Sequence, residues 1–153
     1  MSAPEPILIA SDHAAFDLKK KLIETLSDYR FEDLGTSSTQ SVDYPDFAEK
    51  VATKISRGEA KRGILICGSG IGMCITANKF SNVRAAMVES VESAMLSRQH
   101  NDANILCMGS RLLPDHLALE IAKAWLSTSF SNEQRHTGRI EKIKQIEKIN
   151  GAK

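Results

Sequence analysis

The sequence contains no long hydrophobic run and no marked excess of charge of one sign. Hydrophobic residues make up 42% of the 153 residues, charged residues make up 25%, and the formal net charge is +1. A strongly basic surface is typical of nucleic-acid binding, and a membrane helix needs about 20 consecutive apolar residues. We therefore expect a soluble protein with a single domain over residues 1–153 and with no nucleic-acid or membrane partner.

Cysteine is also scarce, and the first residues lack the features of a secretion signal. Residues 1–6 contain neither a basic segment nor an apolar one. The three cysteines, Cys67, Cys74 and Cys107, are odd in number and are not spaced as zinc ligands. These absences favour reduced thiols in a cytoplasmic protein.

Short apolar runs alternate with amphipathic segments along the chain. Strands are predicted at 7–10, 31–34, 64–66, 83–88 and 105–108. Helices are predicted at 16–26, 44–58, 73–80, 90–98 and 114–126, followed by a last helix that begins near Arg135 and Arg139. This alternation favours an α/β fold in which helices cover both faces of a five-stranded, mostly parallel sheet. The polar segment 36–43 is expected to form a surface loop near a ligand.

The most informative stretch is a glycine-rich loop after the third predicted strand. The apolar run 64–66 leads into Gly68, Ser69, Gly70 and Gly72, and a helix is expected to follow. This order of elements collects backbone N–H groups in one concavity, where the helix dipole favours negative charge. The stretch therefore predicts an anion site at the carboxyl end of the third strand.

The glycine loop has two other interpretations, a dinucleotide-binding loop and a simple tight turn. Glu89 lies near the distance at which an acid would meet a ribose hydroxyl. However, Met73 stands where the third glycine of that fingerprint belongs, and the loop follows the third strand instead of the first. A tight turn would need the glycines for their backbone freedom alone and would bind nothing.

Cys67 ends the third predicted strand, directly before the loop. A cysteine at a strand end is more often part of the core than reactive. At a glycine-rich helix N-terminus, however, the local field favours the thiolate, which is the reactive form. Cys74 and Cys107 lack this setting and are expected in the core.

Two histidines near the ends of predicted elements are candidates for acid–base chemistry or anion binding. His13 follows Asp12 after the first strand, and His100 precedes the fifth strand. A metal site formed by these three residues is a further possibility, but it lacks the local spacing of metal ligands. His116 and His136 carry no comparable signal.

Three arginines complete the set of candidates. Arg135 and Arg139 are four residues apart, which places them on one face of the last helix, and Arg111 follows the fifth strand. A solvated basic face is the alternative for the pair on the helix. Several guanidinium groups together with backbone amides suit a phosphate group.

These motifs together resemble type B ribose-5-phosphate isomerases, within the family shared with galactose-6-phosphate isomerase subunits. The matching stretches are 11–13, 43–45, 63–72, 77–79, 97–102, 109–111 and 135–139. The resemblance implies a Rossmann-like, three-layer α/β/α fold and a homodimer or dimer of dimers. It also implies metal-independent and cofactor-independent interconversion of ribose 5-phosphate and ribulose 5-phosphate, a step of the non-oxidative pentose phosphate pathway.

The resemblance also implies roles for individual residues. Cys67 matches the base that moves the proton at C2, whereas another branch of the family uses a glutamate at the position of Met73. His100 matches the ring-opening acid–base group, which Asp12 assists, and Ser69 helps to stabilise the enediolate. Substrate-binding positions are matched by Asp12, His13, Gly68, Ser69, Gly70, Ile71, Gly72, Asn101, Arg111, Arg135 and Arg139. The alternatives are an isomerase of allose or galactose 6-phosphate and a non-catalytic sugar-phosphate-binding module.

The last predicted helix carries isoleucine at every third position. Ile140, Ile143, Ile146 and Ile149 wind around the helix because each step of three residues falls short of a full turn. Such a helix needs apolar contact on two sides, and a second subunit would supply one of them. The alternative is a helix that leaves part of this stripe exposed.

Overall fold

Five parallel strands form one sheet in the order β2-β1-β3-β5-β4. The structure, a computed structural model, describes residues 4–151. The strands are β1 Pro6–Ser11, β2 Arg30–Asp33, β3 Arg62–Cys67, β4 Ala85–Met87 and β5 Ile105–Gly109. The helices are α1 Phe16–Thr25, α2 Tyr44–Ser56, α3 Ile71–Ala77, α4 Val91–Gln99, α5 Asp115–Ser127 and α6 Gln134–Gly151, and a 3-10 turn at His13–Ala15 precedes α1.

Each central strand contributes side chains to both faces of the sheet. Successive strand residues point to opposite faces, so Ile64 and Ile66 pack in one apolar layer with α1 and α5. Leu65 and Cys67 pack in the other layer, with α2 and α3. The predicted three-layer α/β/α fold is therefore confirmed, and all the strand pairs are parallel.

Several elements differ by a few residues from the sequence prediction, among them α3 and β4. Helix α3 begins at Ile71, before the predicted start, because Gly70 is its N-cap with a φ of 80°. It ends at Ala77, and the side chain of the next residue, Asn78, accepts a hydrogen bond from the Ala85 amide (2.9 Å) and donates one to the Ala85 carbonyl (3.0 Å). Strand β4 is confined to Ala85–Met87 because it is an edge strand with a single neighbour.

The strand order reverses direction between β1 and β3. The connection from β1 leads to β2 on one side, and the next connection leads from β2 back past β1 to β3 on the other side. In open α/β sheets, ligands bind at such a switch point, outside the carboxyl ends of the strands. Here Ser11 and Cys67 end the two strands concerned.

Helix α6 packs sparsely against the rest of the chain. It buries His136 and Ile140, whereas Ile143, Ile146 and Ile149 are 46%, 62% and 75% exposed. The apolar stripe is thus covered at its start and open along the rest. None of the helices within residues 4–151 is both long and apolar enough to cross a membrane.

Candidate active site

Asp12 and His13 lie directly after β1. They are at the end of the sheet where all five strands have their carboxyl ends, which we call the carboxyl edge; the opposite end is the amino edge. The Asp12 side chain is buried, and its Oδ1 accepts a hydrogen bond from the Ala14 amide at 3.0 Å, which caps the 3-10 turn. Nδ1 of His13 accepts a hydrogen bond from the Val42 amide at 3.1 Å. The predicted polar loop therefore lies against this edge, and in the neutral ring of His13 the proton is on Nε2.

The thiol of Cys67 lies under the glycine loop. Its Sγ accepts a hydrogen bond from the Gly70 amide at 3.2 Å, and the Ser69 hydroxyl accepts one from the Ile71 amide, also at 3.2 Å. A backbone N–H group thus points at the sulfur and stabilises negative charge there. The first turn of α3 adds further N–H groups that have no partner within the helix.

The loop fits closely against the end of β5, which explains two of its glycines. A Cβ at Gly70 would lie 2.8 Å from the Met108 carbonyl carbon, and a Cβ at Gly109 would lie 2.6 Å from the Ser69 carbonyl carbon. Both distances are shorter than real contacts of a Cβ atom. The glycines therefore allow the loop to approach the strand and hold its amides in place.

Arg111 is placed beside this loop by main-chain hydrogen bonds. Its amide donates to the Gly68 carbonyl (2.9 Å), and the Ser110 amide donates to the Cys67 carbonyl (2.9 Å). The Arg111 side chain packs over Gly68, where a Cβ would lie 3.2 Å from Nη1. One edge of the sheet thus brings together Asp12, His13, Cys67, the loop 68–72 and Arg111.

His100 and Asn101 lie at the other edge of the same sheet. His100 is the C-cap of α4, which runs antiparallel to the strands. The nearby Asn104 carbonyl accepts a hydrogen bond from the Gly63 amide at 2.9 Å, at the beginning of β3. From Gly63 to Cys67 the strand rises by about 13 Å, at about 3.3 Å per residue. The structure therefore does not bring His100 close to Cys67, and one chain cannot form a metal site from Asp12, His13 and His100.

A second group of polar residues surrounds His100. Its ring packs against that of His136, with the ring centroids 4.2 Å apart and the ring planes tilted by 31°. Nδ1 of His136 lies 2.6 Å from the Ser131 hydroxyl. Burial lowers the pKa of His136, and the positive charges of Arg135 and His100 act in the same direction.

The two arginines of α6 are at the beginning of the helix, next to this histidine pair. Nε of Arg135 donates to Oε2 of Glu133 at 2.6 Å, and Arg135 lowers the pKa of that carboxyl group. Arg139 is exposed. His136 was not among the candidates predicted from the sequence, in which it lies between these two arginines.

Comparison with known proteins points to one family. The model of the Ribose/Galactose Isomerase family matches residues 7–143. The chain is 43% identical to ribose-5-phosphate isomerase B of Escherichia coli (strain K12) in an alignment 143 residues long, which covers 92% of this chain and 95% of that protein.

Two solved structures share the fold over nearly the whole chain. Ribose-5-phosphate isomerase B of Clostridium thermocellum matches with a TM-score of 0.91 and 45% identity, covering 95% of this chain and 99% of that one. Ribose-5-phosphate isomerase B of Mycoplasma genitalium, with bound ribulose-5-phosphate, matches with a TM-score of 0.88 and 43% identity, covering 94% and 96%.

Proposed function

Because the chain belongs to the Ribose/Galactose Isomerase family, we propose that it is an isomerase that interconverts D-ribose 5-phosphate and D-ribulose 5-phosphate. The observation that carries this proposal is the Cys67 sulfur, which accepts a hydrogen bond from the Gly70 amide of the glycine loop. This sulfur lies at the same edge of the sheet as Asp12, His13 and Arg111. A base next to amide donors is what proton transfer between two carbons requires, because the charge that develops on the sugar oxygens must be stabilised.

The reaction begins with ring opening. His100 exchanges a proton with the ring oxygen or the anomeric hydroxyl, and Asp12 assists. In the open chain, the Cys67 thiolate takes the proton from C2 and returns it to C1, while the proton of the C2 hydroxyl passes to O1. The N–H groups of the loop 68–72 and the Ser69 hydroxyl stabilise the enediolate between these two steps.

The phosphate group fixes which carbon faces the sulfur. His13 and Arg111 approach it from the Cys67 edge, and Arg135 and Arg139 supply two further guanidinium groups. Holding one end of the substrate with several donors positions the reacting end without any covalent chemistry at the phosphate.

A second copy of the chain completes this site in the proposal. His100, Asn101, Arg135 and Arg139 lie beyond the opposite end of β3 from Cys67, so they cannot meet the same small substrate within one chain. In a two-fold dimer, each copy would offer these residues to the Cys67 edge of the other. The site would then lie between subunits, in a dimer or a dimer of dimers.

Exposed apolar side chains support this assembly. At the Cys67 edge, Ile71 and Ile75 of α3 are 49% and 58% exposed, and Leu112 next to Arg111 is also exposed. On α6, the stripe from Ile143 to Ile149 is largely exposed within residues 4–151. Apolar surface next to an incomplete site is typical of a subunit interface.

The three cysteines are free thiols, which supports a cytoplasmic enzyme.

A coupled assay with ribose 5-phosphate, allose 6-phosphate and galactose 6-phosphate tests the proposed function. We expect the highest kcat/KM with ribose 5-phosphate. A higher kcat/KM with either hexose phosphate would reassign the substrate. Binding of all three without turnover would instead identify a sugar-phosphate-binding module.

A further inference from the structure

A cavity of about 540 Å³ opens at the amino edge of the sheet, away from Cys67. Its charged lining is mostly basic, and the acidic residues in it are Glu5 and Asp102. The basic residues are Lys61, Arg62, Arg84, Arg98 and Lys144. Five positive and two negative charges leave an excess of three positive charges, whereas the whole chain carries +1. None of the residues proposed to complete the site of a second copy lines this cavity.

Backbone carbonyl groups hold the three arginines in place. Nη1 of Arg62 donates to the Leu126 carbonyl at 2.8 Å, and Nε of Arg84 donates to the Asp102 carbonyl at 3.1 Å. Nη1 of Arg98 donates to the Ala103 carbonyl at 2.6 Å. A carbonyl acceptor fixes a guanidinium group without neutralising its charge. The arginines are therefore positioned in advance for an anion.

The two carboxylates are too few to neutralise this lining. Asp102 is shared, since its oxygens lie 2.9 Å from Arg98 and 3.5 Å from Arg84. Glu5 lies 3.6 Å from Arg62. Lys61 and Lys144 form no ion pair with any residue in the range 4–151. A dianionic group would therefore find several partners whose charges are not compensated.

The cavity also has apolar walls, formed by Ile55, Leu126 and Phe130. Its volume falls within the range of about 300–1,000 Å³ that is typical of small-molecule sites. Planar guanidinium groups suit phosphate oxygens, and the apolar walls suit an organic portion. We propose that this cavity binds a small phosphorylated organic molecule, at a site separate from the one around Cys67.

Trp125, the only tryptophan of the chain, lies where it can report on this site. It is fully buried, and the guanidinium carbons of Arg62 and Arg98 lie 5.8 and 5.6 Å from its ring centroid. An anion that binds to these arginines changes the electric field at the indole ring. The emission of Trp125 should therefore respond to the amino-edge cavity and not to the Cys67 edge.

The test is a titration of the full-length protein with inorganic pyrophosphate at constant ionic strength, followed by Trp125 emission. We expect a saturable change. Lys61 and Lys144 are exposed and form no ion pair among the described residues. In the double variant Lys61→Glu with Lys144→Glu, the Kd for pyrophosphate should rise at least about tenfold, or ~1.4 kcal/mol. The matched control is Lys123→Glu with Lys142→Glu, which changes the net charge equally on exposed helix surface and should shift Kd less than about threefold.

Two results would overturn the proposal. One is an unchanged emission over the whole titration, and the other is an equal change of Kd in the two double variants. Urea unfolding of each variant, measured in parallel, ensures that a weaker response is not caused by loss of the fold. Since the readout is emission and not turnover, the outcome does not depend on the proposed isomerase activity.

Discussion

The two edges of the sheet carry their polar residues in different ways. At the carboxyl edge, the main chain forms the site, because the amides of Ser110 and Arg111 fix the loop that follows Cys67. At the amino edge, the polar groups are side chains at helix ends, and contacts between side chains hold them, such as that of the His100 ring with the His136 ring. Within residues 4–151, the carboxyl edge presents an amide to the Cys67 sulfur, as a site that stabilises a reacting anion requires. Under the proposed function, the carboxyl edge carries out the chemistry and the amino edge serves the site of a neighbouring copy.

The largest expected effect is at the carboxyl edge. Cys67→Ala should lower kcat by several orders of magnitude, since general-base contributions of about 10²–10⁴ set a lower limit, while phosphate binding changes little. Steady-state kinetics and calorimetry with ribose 5-phosphate measure both. Cys74→Ala, which removes a nearby half-buried thiol, is the matched control and should stay within about fivefold of wild type. Activity of Cys67→Ala within about tenfold of wild type would remove Cys67 from the role of base.

The second prediction separates ring opening, proposed for His100, from proton transfer, proposed for Cys67. His100→Asn should be strongly impaired with ribose 5-phosphate, which is mostly cyclic, and much less with ribulose 5-phosphate, which cannot close a furanose through its phosphorylated O5. Initial rates in each direction, taken before the product equilibrates, measure this asymmetry. His116→Asn, at an exposed position of α5, should behave as wild type. Equal losses in both directions would assign His100 to the proton transfer instead.

A third prediction addresses the assembly. Ile143→Glu combined with Ile146→Glu places two charges on the exposed stripe of α6 and should weaken the dimer and raise the KM together. The control, Gln145→Glu with Asn150→Glu, makes the same charge change at other exposed positions of the helix. Sedimentation and kinetics at the same protein concentrations compare the variants. An intact dimer with a normal KM would show that the stripe is not part of the interface.

The smallest expected effect is on the pH dependence of stability. The pKa of His136 is lowered in the folded state from its ordinary value of 6.5, because the ring is buried near positive charges. The unfolded chain therefore binds the proton more readily, and stability that is present above that value is lost as the pH falls. The decrease of Tm between about pH 7.5 and about pH 5.5 should be smaller in His136→Gln than in wild type. His116→Gln, the exposed control, should keep the full decrease, and an unchanged slope in His136→Gln would contradict this account.

The fold was largely predictable because its signals are local. Apolar runs and helical periodicity gave every strand and helix, and the glycines after β3 gave the loop. The bounds of α3 were not predictable because they depend on the left-handed conformation of Gly70 and on the contact of Asn78 with β4. The pattern of hydrophobicity contains no information on either feature.

The candidate site was predictable in part. The rule for ligand positions in parallel sheets pointed to Asp12, His13 and Cys67. The position of His100 made it a candidate for acid–base chemistry or anion binding, whereas its ring-opening role and the binding role of Asn101 came only from the family resemblance. The alternation of strands and helices already predicts that His100, which lies between α4 and β5, is at the amino edge. The contact of His136 with His100 depends on how the chain packs, and no spacing in the sequence encodes it.

The central claim is that each site combines Cys67 of one copy with His100 of another. Cys67→Ala and His100→Asn chains, each inactive with ribose 5-phosphate, can be mixed and refolded together, with hybrid dimers counted by native mass spectrometry. If the site is shared, each hybrid has one site with both native groups, and an equal mixture should recover about a quarter of wild-type activity. Hybrids that form but remain as inactive as the separate variants would contradict the account.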